Sequence, residues 1–180
     1  MLRGLLLSLG LSFSLGACAF VDFRTAERLS QLSPLNTDPS GVAVYLDLPD
    51  GLQVLPGSAV LTFGAVRTDT GVEDFVYYTL EDIQADDLRG FRVAKEDHPM
   101  FRGQQLRLRA WEAAYPDATN GTFSVNAEFC TIDGGPAPGA LASVFVQYEE
   151  GGTLNPLFID APVTRVFDAS NIVTMPPCSG

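Results

Sequence analysis

Histidine and lysine each occur once in the 180 residues, at His98 and Lys95, and tryptophan once, at Trp111. A Ser-His-Asp arrangement needs a histidine to carry its proton, so His98 would have to serve. It stands beside Pro99 at an expected helix start, and no G-x-S-x-G accompanies it. His98 therefore reads as a surface histidine, and the chain as a non-enzyme. Zinc sites draw on several Cys and His ligands, which this composition does not supply. No Gly-rich loop followed by Lys and Ser or Thr offers a phosphate cradle, and no C-x-x-C offers redox chemistry. No cofactor and no metal are expected. Basic side chains are also scarce, 11 against 22 acidic ones, for a net charge of −11. Nucleic-acid binding needs clustered Lys and Arg, so this balance argues against it, and against broad adhesion to anionic lipid. No repeat of solenoid length is visible.

What is present begins at the amino end. An apolar run from Leu5 to Leu15 follows Met1-Leu2-Arg3. A bilayer span takes about 20 apolar residues, so the run has instead the length of a signal-peptide core. It closes on Leu15-Gly16-Ala17-Cys18. That stretch resembles the lipobox of bacterial lipoproteins. The resemblance covers only the first eighteen or so residues. It implies a diacylglyceryl group on the Cys18 thiol, cleavage before Cys18, and a membrane partner reached through the N-terminal lipid. Ala19 follows, where Asp commonly marks inner-membrane retention in Gram-negative lipoproteins, so the implied location is the outer membrane, facing the periplasm. The alternatives are an ordinary secretory signal with Cys18 a plain residue, or a retained helix, which Arg24, Glu27 and Arg28 oppose. The expected organisation is a signal peptide over 1–17, a lipidated N-terminus and tether over 18–40, and one β-rich domain over 41–180. In the tether, Leu29, Leu32 and Leu35 could make a short helix, limited by Pro34 and Pro39.

Cys130 and Cys178 are the thiols left once Cys18 is lipidated. Export places them in an oxidising compartment, and the count of two predicts a disulfide, with two unpaired thiols as the alternative.

From Gly41 the apolar residues alternate, the strand signature. Val42, Val44, Leu46 and Leu48 point one way, Ala43, Tyr45 and Asp47 the other. Ala59, Leu61, Phe63 and Ala65 form another face, and Thr68-Asp69-Thr70-Gly71 a hairpin connection. Phe75 to Leu80 is apolar on both faces, as in a central strand. Gly90 to Val93 reads as a short strand, Asn120-Gly121 as a turn, and Phe123 to Phe129, Ala142 to Tyr148 and Leu157 to Phe167 as further strands, the last broken by Pro162. The segment near 101–115 fits both periods. Leu106, Leu108 and Ala110 alternate, whereas Phe101, Gln104, Leu108, Trp111 and Tyr115 recur at threes and fours. Helix is preferred, with Asp97 as cap and Pro99 in its first turn. Trp111 is the expected plug of the core. The fold class is mainly β (α+β): an antiparallel β-sandwich-like domain with one helix near residues 97–115 packed on a sheet.

Two charged features invite a functional reading. Glu81 to Asp87 reads as an acidic loop with little periodicity that could feed oxygen ligands to calcium, or be solvated surface. Arg102 and Arg109 share a helix face with Arg107 to one side, so these three could meet lipid phosphates or an acidic partner, or pair locally. The functional expectation is a lipid-anchored envelope lipoprotein that binds or scaffolds. Its rivals are an assembly or interaction factor with an envelope protein partner, and a binder of small apolar ligands or lipid in the gap between sheet and helix.

Overall fold

Alternating apolar residues become strands in the computed structural model, which describes residues 22, 24, 25, 27, 33–166 and 175–178. Cys18 and the proposed signal peptide lie outside the described residues, as do Leu29, Leu32 and Phe167. The strands are β1 (Ala43–Asp47), β2 (Leu52–Val54), β3 (Val60–Arg67), β4 (Glu73–Ala85), β5 (Leu88–Val93), β6 (Thr119–Asn126), β7 (Phe129–Thr131), β8 (Leu141–Gln147) and β9 (Asn155–Pro162). Seven of them form one antiparallel sheet in the order β6-β3-β4-β5-β1-β8-β9, and β2 pairs with β7 in a small second ribbon. The large sheet is strongly curled into a half-barrel.

That curl replaces the two stacked sheets of a sandwich, and β4 explains it. This strand has 13 residues. Its first part, Glu73 to Thr79, pairs with β3, and its second, Leu80 to Ala85, pairs with β5. One continuous strand thus serves both halves of the sheet, which rolls over at Leu80 instead of splitting into two layers. The inner faces of the two halves then look at each other. Ala59, Leu61, Phe63 and Ala65 from one side and Phe91 and Val93 from the other are all at most 3% exposed and share one cluster. The alternation around β3 was thus a true face. β4 is central as expected but buried on one side only: Tyr78 is 1% exposed and its neighbour Tyr77 68%.

A 3-10 turn (Lys95–Asp97) runs directly into the long helix α1 (His98–Ala114), together 20 residues. The helical period therefore prevails over the strand period in this segment. Asp97 does not cap it with its side chain. The preceding turn already holds Asp97 in the right-handed helical region, at φ −87° and ψ −10°, whereas a capping side chain needs an extended backbone. Pro99 sits in the first turn, where its missing N–H has no helical partner to lose. The helix lies in the concavity of the sheet. Phe101, 1% exposed, is its plug, stacked 4.8 Å from Phe63 and contacting Tyr78 and Phe123. Leu108 is buried beside it, while Trp111 is half-buried at the edge of the same cluster.

Four local readings change. The strand expected from Leu157 to Phe167 is β9 only as far as Pro162, after which Val163–Val166 is a short helix. The acidic stretch from Glu81 is not a loop: β4 continues to Ala85 and turns through Asp86 at φ 52° into β5. Asn120-Gly121 is not a turn but lies inside β6, in register with Val66 and Ala65 of β3. The chain has already turned at Ala118, whose N–H bonds Tyr115 O and whose carbonyl accepts from Thr68 N. Finally, the face from Phe123 to Phe129 is divided, because β6 ends at Asn126 and Phe129 pairs with Val54 in the small ribbon.

On the outside of the sheet Tyr45 is opposite Gly90. A Cβ at Gly90 would come within 2.5 Å of the Tyr45 ring, so only glycine lets that ring lie flat on the strand. Its hydroxyl hydrogen-bonds Gln147. Cys130 and Cys178 form a disulfide with Cα atoms 4.9 Å apart. It fastens the tail to β7, where Thr131 N donates to Pro176 O and Cys178 N to Thr131 O. No helix among the described residues is long and apolar enough to cross a membrane.

Candidate functional site

The helix does not fill the half-barrel. Beside it the inner faces of β6 and of β1 and β8 enclose a cavity of about 380 Å³. Val42 and Val44 form one wall, Val125 and Phe123 of β6 the facing one, and Val146, Tyr148 and Leu157 the floor. No charged side chain is among its described lining residues. A second cavity, about 270 Å³, opens between the C-terminal half of α1 and strands β3 and β6, lined by Leu108, Glu112, Phe63 and Phe123. Pro34 and Phe123 border both.

One polar group in the lining of the first cavity stands out. The Tyr148 hydroxyl is buried and has no hydrogen-bond partner. A buried hydroxyl without a partner costs about 1–3 kcal/mol. The cavity combines apolar walls with the neutral polar residues Thr37, Gln147 and Tyr148, the composition of many small-molecule sites.

The segment 33–41 forms a strap across the mouth, and α1 holds it. Gln105, buried on the helix, donates from Nε2 to Pro34 O at 2.8 Å and to Thr37 O at 2.7 Å. Arg102 Nη2 reaches Asp38 Oδ1 at 3.2 Å, and Arg109 Nη1 reaches Asn36 Oδ1 at 3.2 Å. Asp38 also accepts from Ser40 N, whose hydrogen bond first of all holds its carboxyl below the usual carboxylate range, with Arg102 adding to the effect. Arg107 turns the other way, to Asp74 Oδ2 at 3.0 Å and to Gln104. Burial pushes the Asp74 carboxyl up, but the hydrogen bonds from Arg107 and Gln104 outweigh it and leave it below its ordinary value. Arg102 and Arg109 thus meet the strap, and Arg107 meets Asp74. Each of the three is engaged by its own chain, two of them on the strap.

Upstream of the strap, Asp22 is fixed beside the same cavity. Its N–H donates to Leu157 O at 3.0 Å, and its carboxylate accepts from the N–H of Thr25, which is buried.

The other candidate residues lie elsewhere. His98 places Nε2 3.3 Å from Val93 O and lines neither cavity. Glu81 pairs with Arg92, and Asp82 with Arg89 at 2.7 Å, across the β4–β5 hairpin. Successive strand residues face opposite sides of a sheet, so these carboxylates diverge rather than surround an ion. Among the described residues no group of three or more His, Cys, Asp or Glu side chains converges to hold a metal. Sequence reasoning missed Tyr148, Gln104 and Gln105. Tyr148 was visible as the last member of the β8 alternation. The glutamines stood in the apolar period of the helix, and that position was the available sign that they are buried.

Comparisons with family models, with curated proteins and with solved structures return no match to this chain.

Proposed function

We propose that this chain is a lipid-anchored envelope lipoprotein whose domain binds a small apolar ligand without transforming it. The anchor rests on Leu15-Gly16-Ala17-Cys18, and Ala19 after the cysteine favours the outer membrane, facing the periplasm. The observation that carries the binding reading is the uncharged, largely apolar cavity between β6 and β1/β8. The test uses Cys18→Ser exported behind an ordinary cleavable leader, so that the mature chain carries no lipid. This protein should bind the neutral fluorescent probe N-phenyl-1-naphthylamine at one saturable site. Val44→Trp, which fills the cavity, should weaken that binding at least tenfold. A probe that fails to bind, or that binds Val44→Trp equally well, would remove the reading.

A second reading, assembly with an envelope partner, is favoured by the open edge of β6. That strand, Thr119–Asn126, contains neither proline nor charge, and among the described residues no hydrogen bond reaches its outer edge. The opposite edge, β9, carries Pro156 and Pro162, holds Asp160 at φ 48°, and is bonded by Asp22. An unguarded edge can accept a partner strand. Hydrogen exchange in isolated envelopes reads it directly: β6 amides that exchange as fast there as in the purified protein exclude strand addition.

A further inference from the structure

We propose that, away from the bilayer, one acyl chain of the protein's own N-terminal lipid occupies the cavity between β6 and β1/β8. The inference rests on the binding reading above and on lipidation of Cys18, and it names the ligand.

The path of the chain selects this occupant. Asp22 is hydrogen-bonded to Leu157, which lines the cavity. Cys18 stands four residues earlier. Four extended residues span at most about 14 Å, so the lipidated sulfur and amine are leashed within that distance of the residue that bonds Leu157. A ligand on so short a tether is present at an effective concentration of millimolar order, which a free apolar ligand of low solubility does not match. The lining agrees with an acyl chain in two ways. Its walls are Val42, Val44, Val125 and Val146, with no charge among the described residues. Its polar lining residues, Thr37, Gln147 and Tyr148, are neutral. A free fatty acid would bring a carboxylate into a chain of net charge −11, whereas a chain esterified or amidated to Cys18 brings none. In water the cavity is the apolar refuge within reach; in a membrane the bilayer offers another, and the chain is free to leave.

The experiment compares two forms in detergent-free buffer. One is the mature wild-type protein taken from membranes, its lipid confirmed by mass. The other is the lipid-free Cys18→Ser mature chain, its disulfide intact. Both are titrated with N-phenyl-1-naphthylamine. Self-occupancy requires the lipid-free chain to bind the probe and the lipidated chain to bind it at least tenfold more weakly. Adding phospholipid vesicles, which draw the acyl chain away, should restore probe binding to the lipidated protein once partition of the probe into vesicles is subtracted. Equal binding by the two forms overturns the inference and leaves the binding reading standing. Failure of both forms to bind removes the binding reading and this inference with it. A mature wild-type mass without lipid overturns the inference through its anchor.

Discussion

Tyr78 and Tyr148 are the hydroxyls that the described fold buries without a hydrogen-bond partner. They have different consequences. Tyr148 belongs to the lining of the apolar cavity, with its hydroxyl closed off from it. Tyr78 lies in packed core against Phe101, where no ligand can reach, and burial pushes its pKa up to about 12 from the ordinary 10.0. Between those two values the unfolded chain loses the phenol proton and the folded chain keeps it, so stability falls as pH rises through that window. Asp74 works at the acid end. Its folded carboxyl is held below 3.8, so the stability it contributes is present above that value and is lost as pH falls below it. Tyr78→Phe should therefore flatten the alkaline limb of a denaturation-midpoint profile and leave the acid limb intact. It should also be neutral or stabilising by up to about 1 kcal/mol, since it deletes an unpartnered group. An alkaline limb that Tyr78→Phe leaves unchanged would show that another group sets it.

At the scale of elements, α1 is held by apolar side chains on one face and by the strap on another, and the two should separate in mutants. Phe101→Ala removes the plug stacked on Phe63 and should cost about 3–5 kcal/mol in urea denaturation. Arg102→Ala breaks an exposed pair with Asp38 and should stay within about 0.5 kcal/mol. Comparable losses in the two variants would mean that the strap, not the core, fixes the helix. The helix and most strands were legible in the sequence because local periodicity encodes them: Phe101, Leu108 and Trp111 fall at helical spacing, and Ala59 to Ala65 alternate. The curl was not legible. It depends on β4 changing partner at Leu80, and a pattern of two-residue period is identical on either side of that change. The acidic 81–87 segment misled for a related reason. Its charges, which look like a loop in isolation, belong to strand ends whose partners, Arg89 and Arg92, follow only after the hairpin. The cavity was anticipated only as a gap between sheet and helix, since its walls come from strands some eighty residues or more apart, Val44 and Val125 among them.

Taken whole, the molecule is fastened at one end by a covalent bond and at the other by hydrogen bonds. The Cys130–Cys178 bridge closes a separation of 48 residues, worth about 4 kcal/mol in the chain-entropy account. Cys130→Ala with Cys178→Ala should lower stability by about 2–4 kcal/mol while probe binding persists, because the bridge borders neither cavity. Loss of binding in that variant with the fold retained would show that the tail shapes the cavity after all. The N-terminal side has no such bond among the described residues. Its strap is carried by Gln105, Arg102 and Arg109 of the helix, and upstream of it Asp22 bonds Leu157 of β9. A lipid-anchored chain under tension would therefore yield there first, by peeling one contact after another. Up to Gly41, 23 residues beyond Cys18, release would lengthen the leash from about 14 Å to about 80 Å without unfolding the sheet. In the lipid-anchored protein proposed above, the strap would act as a spool, holding the domain near the membrane at rest and letting it swing out to several times that distance under load.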